Sequence, residues 1–263
     1  MSRRRAQTFF GTNWKMRNIP RWQALEYVRI LSEGLDQLRS KETAEVFVIP
    51  PATLLRDMAT AGAKGPILFG AQNFHWEEEG EFTGELSIDL LREAGATVFM
   101  AGHAERRMLF GEQGEIVNRK VLRTLKEGLR TILCIGELNW ELAPDQLQEE
   151  LGNQLQAALR GVEITDAAQL VVAYEPYWAI GRAAESAASA SRVSTAINLL
   201  RQSLKEIFGD PNAGPLIYGG NVNLHNCAAL MVEGGVDGLF IGQAATSPMN
   251  FVSVINRALA ALP

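Results

Sequence analysis

The chain is poor in the residues that build metal centres and disulfides. It holds 3 histidines and 2 cysteines in 263 residues. The histidines, His75, His103 and His225, are scattered and do not supply the clustered ligands of a zinc aldolase or hydrolase. Cys134 and Cys227 make no disulfide framework in a chain this long. Both stand in apolar surroundings and read as buried free thiols, which suits a reducing compartment such as the cytoplasm. Basic charge is not in excess either. Lys+Arg 25 against Asp+Glu 30 give a formal net charge of -5, so no bulk field draws nucleic acid. An anionic ligand must therefore be held by local groups. No apolar run approaches a membrane span. The basic start Met1-Ser2-Arg3-Arg4-Arg5 reads as a solvated tail, because Phe9-Phe10-Gly11 ends the following apolar run too early for a signal core.

Short β-rich runs alternate with amphipathic stretches and no low-complexity linker. Strands are expected at 8–13, 44–49, 67–71, 97–101, 130–135, 170–174, 215–218 and 238–241. Helices are expected near 21–38, 53–61, 88–94, 115–127, 145–159, 191–208, 224–232 and 249–261, several with glycine exits at Gly95, Gly128 and Gly209. Strand–helix pairs without a composition break argue for a parallel sheet with crossover helices, and eight such pairs close a barrel. The alternative is an open doubly wound sheet. It would usually carry a glycine-rich fingerprint after its first strand, and Gly11-Thr12-Asn13-Trp14-Lys15 is not one. The expectation is a single-domain α/β barrel over 8–263 with a tail at 1–7.

Barrels do chemistry at the C-terminal ends of their strands. Alternation along strand one puts Asn13 and Lys15 on the same side. A cation facing a barrel mouth is costly unless it serves an anion; the plainer reading is a surface lysine just past the strand. His103 stands after strand four, at the mouth and at a helix start. Glu175 follows strand six directly and precedes Pro176, which stops further pairing; otherwise it is a solvated loop carboxylate. Strands seven and eight end in Tyr218-Gly219-Gly220-Asn221-Val222 and Phe240-Ile241-Gly242-Gln243. Glycines there let backbone N–H groups approach a ligand, and in many barrels these loops hold phosphate. Tight turns alone would also account for them.

Asn13-Trp14-Lys15, Ala71-Gln72-Asn73, Thr83-Gly84-Glu85, Gly102-His103-Ala104-Glu105-Arg106-Arg107, Cys134-Ile135-Gly136-Glu137, Tyr174-Glu175-Pro176-Tyr177-Trp178-Ala179-Ile180-Gly181 and Tyr218-Gly219-Gly220-Asn221-Val222 resemble the signature blocks of the triosephosphate isomerase family, in its order and spacing over nearly the whole chain. The resemblance implies a TIM barrel that is a cofactor-free, metal-free isomerase of a small phosphorylated sugar, binding neither nucleic acid nor membrane. It implies a cytoplasmic homodimer joined through the loop 72–85, with Thr83 near the partner's active site. Phe74, Trp76 and Phe82 would be costly to leave exposed as a patch there. It also implies that Glu175 is the base, His103 the neutral electrophile, and Lys15 the cation for enediolate and phosphate. Asn13 would position the substrate. Gly181, Asn221, Gly242 and Gln243 would line the substrate site, and Glu105 would support His103 and Lys15. The loop 176–186 resembles a lid. This family is itself a standard illustration of such pKa tuning and loop closure.

Four positions depart from the family's usual pattern. Ala104 stands for serine, Gly181-Arg182-Ala183-Ala184 for a Gly-Thr-Gly-Lys lid tip, Asn221 for serine, and Gln243 for glycine. They leave two substrates open, a triose phosphate and a four-carbon ketose phosphate such as erythrulose phosphate. A Schiff-base aldolase would need a lysine within a barrel strand, whereas Lys41, Lys64, Lys120, Lys126 and Lys205 fall on helices or turns. A non-catalytic phosphate-binding barrel would tend to have lost Lys15, His103 or Glu175.

Overall fold

The computed structural model describes residues 7–38, 44–180 and 187–263. Strands β1 (Thr8–Asn13), β2 (Ala44–Ile49), β3 (Ile67–Ala71), β4 (Val98–Ala101), β5 (Arg130–Ile135), β6 (Leu170–Tyr174), β7 (Leu216–Tyr218) and β8 (Gly238–Phe240) close into one parallel barrel in chain order. Its seam joins β1 to β8, with Phe9 opposite Gly238 and Gly11 opposite Phe240. Helices α1 (Arg21–Gln37), α2 (Ala52–Ala61), α3 (Ile88–Glu93), α4 (Ala104–Phe110), α5 (Glu115–Lys126), α6 (Pro144–Leu159), α7 (Ala190–Phe208), α8 (Cys227–Val232) and α9 (Pro248–Ala260) surround it. The open-sheet alternative is thereby excluded.

Two apolar layers follow from strand alternation, which sends successive side chains to opposite faces. Phe9, Phe47, Val98, Ile132, Val171, Ile217 and Phe240 fill the barrel interior. Phe10, Val48, Phe99, Leu133, Val172, Tyr218 and Leu239 pack outward against the helices. Gly11 belongs to the inner column, where a Cβ would meet the Phe47 ring at 2.0 Å. Its bare backbone lets Phe47 lean toward Phe240, ring centroids 5.6 Å apart. Cys134 is interior and Cys227 outer, both free and buried. Burial pushes the Cys134 thiol well up, and the nearby Glu175 charge adds to the shift.

Helix ends obey local chemistry. Ser87, Ser189 and Ser247 each cap a helix by accepting from a backbone N–H in its first turn. Gly209, at φ 77, ends α7 in a left-handed cap that a Cβ would disfavour. One helix, α4, was absent from the sequence candidates, although its start at His103 was not. It has 7 residues, and Met108, Leu109 and Phe110 are exposed, so no periodic apolar stripe announces it. Among the described residues no helix is long and apolar enough to cross a membrane.

Candidate active site

Inner-column alternation carries past the strand ends into the mouth. Positions 171 and 173 face inward, and Glu175 continues the column while its N–H donates to the Ile135 carbonyl at 2.7 Å. Asn13 likewise continues from Phe9 and Gly11. Lys15 reaches the mouth by a different route from the alternation expected of it. The strand ends at Asn13, and Lys15 takes φ 55, the positive-φ residue besides glycines among those described. Its N–H donates to the Asn13 Oδ1 at 2.9 Å, and the Gln72 amide donates to both the Asn13 Oδ1 at 3.1 Å and the Lys15 carbonyl at 3.0 Å. A side chain–backbone turn, clamped from β3's loop, turns the lysine inward.

His103 caps α4. Its Nδ1 accepts from the Glu105 N–H at 3.2 Å. A nitrogen that accepts carries no proton, so the ring's N–H is at Nε2. That edge faces Glu175, with Nε2 3.8 Å from Oε1. The separation exceeds a hydrogen bond, which leaves both groups available to a third molecule. The other carboxylate oxygen accepts a long bond, 3.4 Å, from the Ala104 N–H, and the Cys134 thiol stands within reach of the same carboxylate. His103 and Glu175 are 4% and 2% exposed, so water has little access to either. The Lys15 Nζ donates to Glu105 at 2.7 Å, and Glu105 Oε2 lies 3.8 Å from the His103 Nδ1.

Two bare backbones give Glu175 its room, one beside its side chain and one beside its main chain. A Cβ on Gly219 would approach the Glu175 Cγ to 2.8 Å, and one on Gly136 would meet its backbone oxygen at 1.9 Å. Beside it, Glu137 is also buried, but it accepts from the Tyr174 hydroxyl at 2.9 Å and the Trp178 indole at 3.0 Å, with Arg192 3.5 Å away. A second buried cluster braces α4 from behind. Glu112 pairs with Arg106 on α4 and, at 2.9 Å, with Lys120 on α5. Lys120 in turn donates to the Asn73 Oδ1 at 2.6 Å. Burial alone would raise the Glu112 carboxyl, but Lys120 and Arg106 hold it below its ordinary value.

The resulting cavity, about 260 Å³, is lined by Asn13, Lys15, Arg17, His103, Glu175, Ile180, Gly219, Gly220, Asn221, Val222, Phe240, Ile241, Gly242 and Gln243. Every expected lining residue that is described therefore meets in one place, and Glu105 stands just behind. Gly181 and the lid tip through residue 186 lie outside the described residues. Above Gly242 an added Cβ would meet no protein atom within 4 Å, because that space is the cavity. Gln243 is exposed at its edge and opens a short 3-10 turn. Arg17 is not among the site residues expected from the sequence, and Ile180 is expected only as part of the lid loop. Arg17's signal was its closeness to Lys15, which means little without the turn at residue 15. In the loop after β3, Phe74 is fully buried against Phe99 and so belongs to the core, not to a surface patch. Trp76 and Phe82 stack on either side of His75, at 4.2 Å and 4.1 Å. Among the described residues, no group of three or more His, Cys, Asp or Glu could hold a metal ion.

The chain matches the family model described as triosephosphate isomerase over residues 8–258. A triosephosphate isomerase of Thermoanaerobacter pseudethanolicus is 37% identical over 246 residues, spanning 93% of this chain and 96% of that one. An L-erythrulose-1-phosphate isomerase of Rhizobium etli is 37% identical over 254 residues, spanning 96% of this chain and 92% of that one. The crystal structure of triosephosphate isomerase from Bartonella henselae matches with a TM-score of 0.82 at 29% identity, covering 95% of this chain and 98% of that chain.

Proposed function

The chain belongs to the triosephosphate isomerase family, and from that premise we propose that it interconverts dihydroxyacetone phosphate and D-glyceraldehyde 3-phosphate by moving one proton between adjacent carbons. The observation that carries the reading is the facing pair, His103 Nε2 and Glu175 Oε1, 3.8 Å apart in a buried cavity that Lys15 and Asn13 also line. A proton beside a carbonyl is weakly acidic. Removing it needs a base in contact and donors aimed at the oxyanion that develops. Glu175 takes the proton from one carbon and returns it to the next. His103 donates its Nε2–H to the oxygen that gains charge. Lys15 stabilises the enediolate, and Glu105 holds both Lys15 and His103 in register. Asn13 orients the substrate. Asn221 lines the phosphate end of the cavity, where the backbone N–H groups of Gly242 and Gln243 receive the phosphate, together with Gly181 from the lid. Excluding water protects the enediolate from losing its phosphate. The redox change is internal to the substrate, so the reading requires neither cofactor nor metal.

A four-carbon ketose phosphate is the second reading. Exposed Gln243 at the cavity edge and Ala104 beside the Glu175 carboxylate favour it, as does the Rhizobium relative. Coupled assays with triose phosphate and erythrulose phosphate, run side by side, decide between them. If neither turns over while a phosphoglycolate-like anion still binds, the protein is a phosphate-binding barrel and the isomerase reading falls.

The catalytic unit is the segment 8–263, with 1–7 as a tail. It works as a cytoplasmic homodimer in carbohydrate metabolism, joined through the loop 72–85. Supporting the dimer, Met16 is 98% exposed and Phe82 42%, with Met108, Leu109 and Phe110 also exposed. These residues sit on the loops after β1 and β3 and on α4, which Gln72–Lys15 and Lys15–Glu105 contacts bind together. Water-exposed apolar groups concentrated this way favour a partner.

A further inference from the structure

The charges around the cavity do not yet suit the substrate. Lys15 is tied to Glu105 at 2.7 Å, and Glu175 adds a second carboxylate to the wall. One cation and two carboxylates receive a phosphomonoester poorly, since that group itself carries about −1.5 to −2 at neutral pH. Backbone N–H groups at residues 242 and 243 offset this only as dipoles.

Arg17 lines the same cavity, and its side chain is exposed at the rim. Many arginines of this chain are engaged by carboxylates: Arg21 by Asp57, Arg29 by Glu26 and Glu33, Arg56 by Glu93, Arg201 by Asp237. Arg17 has no ion pair or side-chain hydrogen bond among the described residues. The left-handed turn at Lys15 brings it to the mouth, where it also borders a neighbouring groove lined by Trp14 and Trp22.

We propose that Arg17 is a phosphate-binding residue of this site, whose guanidinium at the cavity rim captures the phosphomonoester of the incoming sugar. The proposal rests on the isomerase reading for its substrate, but the contact itself requires only a phosphate. A guanidinium presents a planar fork of donors that matches two phosphate oxygens, and as an exposed charge it also steers the anion toward the mouth.

Arg17→Ala and Arg17→Lys, each in the full chain, test this. Inorganic phosphate affinity is read by calorimetry, and KM and kcat by steady-state turnover. Arg17→Ala is expected to weaken phosphate binding and raise KM, each about tenfold, because charge-assisted hydrogen bonds are worth more than neutral ones. The change in kcat stays within about twofold, as for uniform binding. Arg17→Lys keeps the charge but not the fork and falls between the wild type and Arg17→Ala in affinity, and the wild-type KM rises more steeply with salt than that of Arg17→Ala. Unchanged phosphate affinity and KM in Arg17→Ala overturn the proposal. So does a loss that tracks a changed assembly mass in light scattering. Wild-type protein that binds phosphate but turns over neither sugar phosphate defeats the isomerase reading instead, and calorimetry still decides the role of Arg17.

Discussion

Glu137 and Glu175 are neighbouring carboxylates with opposite surroundings. Each sits two residues or fewer past the end of an adjacent strand, β5 and β6, and they are 0% and 2% exposed. Glu137 is enclosed by donors, from Tyr174, Trp178 and Arg192. Glu175 has a long bond from a backbone N–H and the Cys134 thiol beside it, and it faces a cavity. Burial of a charge is costly unless it is paired. The protein gives the Glu137 Oε1 three donors but leaves its buried Oε2 without one among the described residues, and it turns Glu175 toward open space. The lesson is that neither burial nor an unpaired oxygen by itself marks a reactive carboxylate; burial at the wall of an open cavity, facing a second proton-transfer group, does.

Replacing each residue breaks the comparison most strongly. Glu175→Gln is expected to lower kcat by about 10²–10⁴-fold with phosphate binding and melting temperature nearly unchanged, as steady-state kinetics and calorimetry will show. Glu175→Asp should lose about 10²-fold, because a shortened base loses near-attack geometry; equal turnover would remove Glu175 from the mechanism. Glu137→Ala should do the reverse. It leaves the Tyr174 hydroxyl and the Trp178 indole without their acceptor and Arg192 without its carboxylate, costing about 3 kcal/mol in a urea titration, while kcat of the folded protein falls far less than for Glu175→Gln. A kinetic loss as large as that of Glu175→Gln would mean the two carboxylates share one role.

The glycines sharpen the contrast. Gly219→Ala directs a Cβ at the Glu175 Cγ, 2.8 Å away, so the carboxylate must shift. A fall in kcat of about tenfold is expected, with little change in stability, since a 1 Å misplacement can already cost 10²-fold. Turnover at the wild-type level would show that the base tolerates displacement. The smallest effect belongs to Gln243→Gly, which touches neither carboxylate. It should raise triose turnover relative to the four-carbon substrate by about threefold, under 1 kcal/mol. No change in that ratio would make Gln243 an idle rim residue.

Much of this was legible in the linear chain. Strands β1, β2, β3, β5 and β6 begin and end where alternation and β-branched content put them, because a period of two is local information. Helix α4 was missed for want of an apolar stripe, and Phe74 was misread because an aromatic in a loop carries no sign of which way it points. Lys15 was assigned to the mouth for the wrong reason: its orientation comes from a left-handed turn held by Gln72, 57 residues away.

Order along the chain thus decided that Asn13 and Glu175 reach the mouth of a closed barrel, since alternation depends only on neighbours in sequence. Tertiary structure decided what each of them meets. Pairing Lys15 with Glu105, sparing Arg17, surrounding Glu137 and leaving Glu175 open beside His103 all depend on contacts between segments far apart in sequence, and no local pattern encodes such distances.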